Sequence, residues 1–224
     1  MKPGQRLVIF DVDGTLIDSQ NHIYAAMETA FSLTGQILPA RSEVLGIVGL
    51  SLPEAVRQLV PALPSGTRDQ IVAAYKQSFN TARGMSPPLL YPGARQVLDQ
   101  LRSRSGVILG VATGKSRRGL DQMMSLHGLQ GYFHTSQVAD DHPSKPHPAM
   151  IHAALSEAQT ARENAVMIGD TTFDIEMGRA AGVRTIGVSW GYHPTAALRS
   201  AGADHVIADY AAMIPLLDEL WERP

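Results

Sequence analysis

The chain has 224 residues, 44% of them hydrophobic, and 19 basic against 21 acidic side chains leave a formal charge of −2. This is enough for one sizeable core with a smaller appended unit, and it excludes a disordered chain. It also lacks the basic excess that general nucleic-acid binding needs, and with no cysteine it has neither disulfides nor thiol chemistry.

The first predicted element is the apolar run Leu7–Phe10, with the composition of a strand buried on both faces. It ends in two acids, Asp11 and Asp13, which at a strand exit need a cation, a basic group or water nearby. Residues 19 to 84 hold no convincing strand. Ile23, Ala26, Met27, Ala30 and Phe31 follow helical spacing, as do Ile71, Ala74, Tyr75, Ser78 and Phe79. A helix over Ser51–Val60 opens on Ser51 as an expected N-cap, with Pro53 in its first turn. The chain returns through the Pro- and Gly-rich stretch around residues 82–93. A helix over Gly93–Ser103 then leads to a second strand, Val107–Ala112. Phe133–Val138 is a weaker strand. A helix over Pro148–Ala158, a third strand at Ala165–Ile168, a helix over Phe173–Ala181 stopped by Gly182, and a fourth strand at Arg184–Val188 follow. His205–Ile207 reads as a short edge strand.

Strands alternating with helices predict an α/β fold, a doubly wound parallel sheet with a Rossmann-like core. The helical stretch predicts a small inserted domain at 19–84, between core segments 1–18 and 85–224. The apolar run near the N-terminus is too short for a signal peptide, and no window approaches the roughly 20 apolar residues of a membrane span. A cytoplasmic protein without membrane contact, monomeric or weakly dimeric, is expected.

Polar residues recur where strands end. Asp11 and Asp13 follow the first strand, Thr113 the second, and Asp170 the third, with Asp174 one helical turn later. Lys145 lies in a loop before the helix that precedes the third strand. In a parallel sheet these groups meet at one edge. Asp11, Asp13 and Asp170 are hard oxygen ligands suited to magnesium, which binds readily together with phosphate oxygens. A carboxylate can also attack phosphorus. The Thr113 hydroxyl and Gly114 amide can donate to a transferring group, and Lys145 can balance its charge. Taken singly, such acids are often helix caps and such a lysine a surface group; the weight lies in their joint occurrence. His134, His142, His147 and His152 match no zinc spacing, and the prolines between them suit a rigid loop presenting Lys145.

These motifs resemble the haloacid dehalogenase superfamily of phosphohydrolases, in its phosphoglycolate phosphatase-like branch. The stretches are DVDGTLIDS (Asp11–Ser19), VATGK (Val111–Lys115), KPHP (Lys145–Pro148) and GDTTFD (Gly169–Asp174). GIVGLSLPEAV (Gly46–Val56) resembles the substrate-facing loop of a helical cap. The resemblance implies Asp11 as nucleophile and Asp13 as general acid then base. Thr113, Gly114 and Lys145 would bind phosphate. Asp11, the Asp13 backbone carbonyl and Asp170 would hold Mg2+, with Asp174 supporting the metal site and Lys145. Gly49 and Ser51 would bring cap amides to the substrate. Dehalogenases and phosphonate hydrolases of the family lack the second acid, so Asp13 implies a phosphatase; the phosphonate hydrolases use a cap lysine, and Lys76 here lies in a surface-like pattern. Mutases of the family carry a cap histidine and arginine where this chain has Ile23 and Gly46. The expected function is hydrolysis of a small phosphorylated metabolite, phosphoglycolate being one candidate. A sugar-phosphate mutase, a pyrophosphatase and a phosphate-binding scaffold are the alternatives.

Overall fold

The computed structural model describes residues 4–81 and 86–222. Its centre is a six-stranded sheet in the order β5-β4-β1-β6-β7-β8, every neighbouring pair parallel. The strands are β1 (Arg6–Phe10), β4 (Val107–Thr113), β5 (Thr135–Val138), β6 (Ala165–Gly169), β7 (Arg184–Val188) and β8 (His205–Ile207). The doubly wound α/β expectation holds, and β8 is an edge strand as its short run suggested.

Strand alternation sorts the core into two layers. Val8 and Phe10 of β1 pack with α5 (Ala94–Ser103), α6 (Arg117–Leu126) and α10 (Met213–Glu222). Leu7 and Ile9 point the other way, onto α7 (Ala149–Glu157) and α8 (Thr172–Ala180). All four are completely buried, which is why the run carries no polar residue. The chain leaves β1 toward β4 and β5, then crosses back to β6 on the other side of β1. The crevice of an open sheet lies at such a reversal, beyond the strands' carboxyl ends. The remaining helix on the sheet is α9 (Thr195–Ser200). Among the described residues no helix is long and apolar enough to cross a membrane.

Between β1 and β4 lie α1 (Gln20–Leu33), α2 (Arg41–Gly46), α3 (Leu52–Leu59) and α4 (Ser65–Thr81). They enclose an apolar cluster of their own: Met27, Ala30, Phe31, Val44, Val56 and Ile71. All five apolar positions expected on one face of α1 are buried. On α4, Ile71 is buried, and Ser78 sends its hydroxyl to the Ala26 carbonyl at 3.2 Å. The side chain of Phe79 and residues 82–85 of the return stretch lie outside the described residues.

Two features differ from the sequence reading. The entry to and return from the helical unit pair as a short antiparallel ladder of β2 (Ile17–Asp18) with β3 (Leu89–Leu90). Two-residue strands have no periodicity to read. Ser51 does precede α3, but its side chain makes no cap hydrogen bond. Its backbone N–H instead reaches across to the Ser144 hydroxyl at 2.9 Å.

Truncating the largest side chain of the helical cluster measures what holds that unit together. Phe31, 1% exposed, should cost about 3–5 kcal/mol on Phe31→Ala, read by denaturant unfolding. A loss below about 1 kcal/mol would mean that the cluster can collapse around the missing ring.

Candidate active site

The parallel sheet delivers the sequence-predicted residues to one place. Asp11 follows β1 directly, and its N–H still bonds the Ile168 carbonyl of β6 at 2.9 Å. The carboxylate is therefore held between the two central strand ends. Lys145, fully buried, donates to Asp11 Oδ1 at 2.6 Å and to Asp174 Oδ1 at 2.7 Å. The second Asp174 oxygen accepts from the Thr171 amide at 3.1 Å and the Thr171 hydroxyl at 2.7 Å. Thr171 in turn caps α8 by accepting from the Asp174 amide. Asp174 is thus a first-turn acid of its helix and also an anchor for Lys145.

Asp170 accepts from the Thr15 hydroxyl and from the Tyr192 amide, both at 2.8 Å. Asp11, Asp170 and Asp174 each place a carboxylate oxygen within 4.8 Å of the others. Against these three buried acids stands the single ammonium of Lys145. Burial pushes the Asp11 carboxyl up to about 7, against the pull of Lys145 and with Asp174 adding to the rise. Burial likewise raises Asp170, reinforced by Asp174 and Asp11 and only partly opposed by the Tyr192 amide and Thr15 hydroxyl. Burial alone would lower Lys145, but Asp11 and Asp174 outweigh it and hold the ammonium above its ordinary range. The cluster is short of positive charge. Asp11 Oδ2 is also buried without a hydrogen-bond partner. An all-oxygen donor set, a missing charge and an orphaned carboxylate oxygen fit a hard divalent cation such as magnesium.

Asp13 stands apart from that trio. The sequence reading grouped it with Asp11 and Asp170. Its carboxylate instead forms an ion pair with Lys115 at 2.9 Å and accepts from the Ser19 hydroxyl. The Ser19 oxygen lies 3.0 Å from the Tyr192 hydroxyl. The Asp13 side chain is therefore held apart from the three convergent carboxylates.

Thr113 ends β4, buried, and its hydroxyl accepts from the Lys115 amide at 3.3 Å. Gly114 lies directly under the helical unit. A Cβ there would fall 2.5 Å from the carbonyl oxygens of both Gly49 and Leu50. Only glycine allows this approach. Gly49 itself has φ +103, and a Cβ on it would meet the Thr171 hydroxyl at 3.2 Å. The sequence argument assigned Gly49 to the approach of backbone amides to substrate; it does line the cavity, and its missing side chain would face Thr171 and Phe173.

The helical unit is docked on the sheet domain at two further points. One is the Ser51–Ser144 bond. The other is His193, whose Nδ1 accepts from the Thr172 amide at 3.1 Å and whose Nε2 lies 3.0 Å from the Gly46 carbonyl. With Nδ1 accepting, Nε2 carries the proton and donates. Between the two units is a cavity of about 420 Å³. Asp11, Asp13, Thr113 and Gly114 line it from the sheet; Gly49, Ser51 and the apolar residues around them line it from the helical unit. Lys76, expected on an outer surface, is exposed yet lines this cavity.

Thr15 and Ser19 lie within the first motif, and Lys115 adjoins Thr113, so proximity in sequence was a signal for them. Ser144 likewise adjoins Lys145, whereas Tyr192 and His193 come from a distant loop whose sequence carries no chemical pattern. The histidine run makes no metal site among the described residues: the aspartate trio is the one convergent group. His142 bonds Gln137 and His147 caps its own loop at the Ala149 amide.

A family model of haloacid dehalogenase-like hydrolases matches residues 8–188. The chain belongs to this family of hydrolases. "Probable phosphatase IndB" of Dickeya dadantii is 34% identical over 220 residues, spanning 96% of this chain and 93% of that one. A phosphoglycolate phosphatase of Pseudomonas fluorescens is 31% identical over 215 residues, 94% of this chain and 79% of the other. Among solved structures, a haloacid dehalogenase-like hydrolase from Streptococcus pneumoniae superposes with a TM-score of 0.82 at 25% identity, covering 96% and 99%.

Two outcomes follow from this geometry. Magnesium titrated into chelator-treated protein should raise Tm in proportion to the logarithm of its concentration, by about 2.7 kcal/mol of stability at 100 times Kd, and Asp170→Asn should abolish the shift. An unchanged shift in that variant would remove Asp170 from the ligand set. Gly49→Val, which must displace Thr171 and through it Asp174, should lower turnover of a small substrate such as acetyl phosphate as well as that of larger esters. Loss confined to larger esters would return Gly49 to the role first expected of it.

Proposed function

We propose that this hydrolase is a magnesium-dependent phosphatase that cleaves a small organic phosphate monoester through an aspartyl-phosphate on Asp11. The observation that carries the reading is the pair of carboxylates at the cavity floor with opposite settings. Asp11 is buried, gripped on one oxygen by Lys145 and unpartnered on the other. Asp13, two residues on, turns its carboxylate away from the acidic trio to Lys115 and Ser19. One is built to attack and the other to handle protons.

In the first step an Asp11 oxygen attacks phosphorus and the ester P–O bond breaks. The bonding pair leaves with the alkoxide, which takes a proton from Asp13. In the second step Asp13 removes a proton from water. The resulting hydroxide attacks the phosphorus, the acyl-phosphate P–O bond breaks, and the Asp11 carboxylate and inorganic phosphate are released. Thr113 and the Gly114 amide donate to phosphoryl oxygens. Lys145 keeps the Asp11 carboxylate in place against the repulsion of Asp174 and Asp170. Magnesium would be held by Asp11, Asp170 and the Asp13 backbone carbonyl, with Asp174 in support, and when bound it supplies charge neutralisation for the phosphoryl oxygens. Residues 19–84 act as the cap over a core of 1–18 and 85–224. Cap closure excludes bulk water from the first step and opening releases product.

The test is a pair of substitutions. Asp11→Asn should abolish turnover, because an amide cannot form the acyl-phosphate. Asp13→Asn should slow turnover by roughly 10²–10⁴-fold, least for aryl phosphates whose leaving groups need no proton. Near-normal activity of Asp11→Asn, or full activity in excess chelator, would end the reading.

A further inference from the structure

We propose that the leaving group of the substrate is a ring-sized body with a planar pair of hydrogen-bond acceptors, read by Arg118 and Gln122 of α6. The inference rests on the phosphatase reading and specifies its substrate class.

The cavity has two unlike walls. The cap side is apolar, with Ile23, Met27, Ile47, Val48, Leu50 and Leu52 among its residues. The opposite side is one face of α6 and the residue leading into it. Lys115, Arg118, Gly119 and Gln122 all line the cavity, at the spacing that keeps helical residues on one face. Other residues of α6 turn elsewhere. Leu120, Met123 and Met124 enter the core, and the Arg117 guanidinium bonds the Ser136 carbonyl at 2.7 Å and Asp141 at 3.2 Å.

The cations of the site divide in the same way. Lys145 is matched by Asp11 and Asp174, and Lys115 by Asp13. No hydrogen bond or ion pair occupies the Arg118 guanidinium or the Gln122 amide among the described residues. A guanidinium presents paired N–H donors in a rigid plane, and it suits two coplanar acceptors far better than a single hydroxyl.

Volume then narrows the class. About 420 Å³ corresponds to on the order of a dozen water-sized groups. A two-carbon acid phosphate or pyrophosphate would leave much of this space unfilled and put nothing against the apolar wall. Asp140 also lines the cavity on the α6 side, its carboxylate held by the Arg117 amide at 2.8 Å. A planar acceptor pair on a ring with apolar faces fits both walls.

The experiment compares kcat/KM of the magnesium-loaded enzyme for guanosine 5′-monophosphate, phosphoglycolate, pyrophosphate and acetyl phosphate. The guanosine ester supplies a ring and, in its O6 and N7, two adjacent coplanar acceptors that match a guanidinium edge. It should exceed phosphoglycolate and pyrophosphate by about tenfold or more. In Arg118→Ala the ratio of guanosine ester to acetyl phosphate should fall by about tenfold, and in Gln122→Leu by several-fold. Both positions are exposed on α6, and a melting curve checks that the variants fold. Preference for phosphoglycolate or pyrophosphate would overturn the inference, as would an unchanged ratio in both variants, and either result leaves the phosphatase reading standing. Absence of hydrolysis of every ester, acetyl phosphate included, would sink that reading and this inference with it.

Discussion

A buried ammonium between two buried carboxylates organises this molecule. Lys145 reaches Asp11 at 2.6 Å and Asp174 at 2.7 Å. Removing one member of such a group leaves an unpaired buried charge, which is far more costly than the intact set is favourable. Each partner is therefore fixed by its own backbone. Asp11 sits on the end of β1 by a strand-to-strand bond to Ile168, and Asp174 is locked into the first turn of α8 by Thr171. The loop carrying Lys145 has to approach both at once. The carboxyl ends of β1 and β6 and the start of α8 are held in register by this one contact set.

The same arrangement leaves a deliberate imbalance. One ammonium cannot compensate Asp11, Asp170 and Asp174 together, and burial raises both Asp11 and Asp170. Buried acids in such excess are favoured by protonation or by a bound cation, and the all-oxygen donor set suits the second. Asp13 pairs with Lys115 at 2.9 Å, away from the trio. Two neighbouring carboxylates in one loop thus keep different partners.

The cap adds a second constraint, steric rather than electrostatic. Gly114 lies so close to the Gly49 and Leu50 carbonyls that a methyl group would not fit. Ser144 and His193 bond the same cap segment from two other loops. The cavity that results has an apolar wall from the helical unit and a donor-lined wall from α6, so both units shape it.

How much of this was legible follows from how each feature is encoded. Apolar runs and helical spacing depend only on neighbours in the chain, so the buried strands, the amphipathic faces of α1 and α5 and the acids at strand exits could all be read directly. Asp11, Thr113, Lys145 and Asp170 were expected together because residues just past the strands of a parallel sheet arrive at one edge whatever the loops do, and they do converge there. What the chain by itself determined is therefore the fold class and which polar groups gather at that edge. The tertiary structure decided the rest. It paired Asp13 with Lys115 in place of the acidic trio, turned Gly49 toward Thr171, brought Tyr192 and His193 from a distant loop, and set one face of α6 against the cap. These depend on where loops of no repeating pattern come to lie, and that is fixed by packing across the sheet, which no local sequence period records.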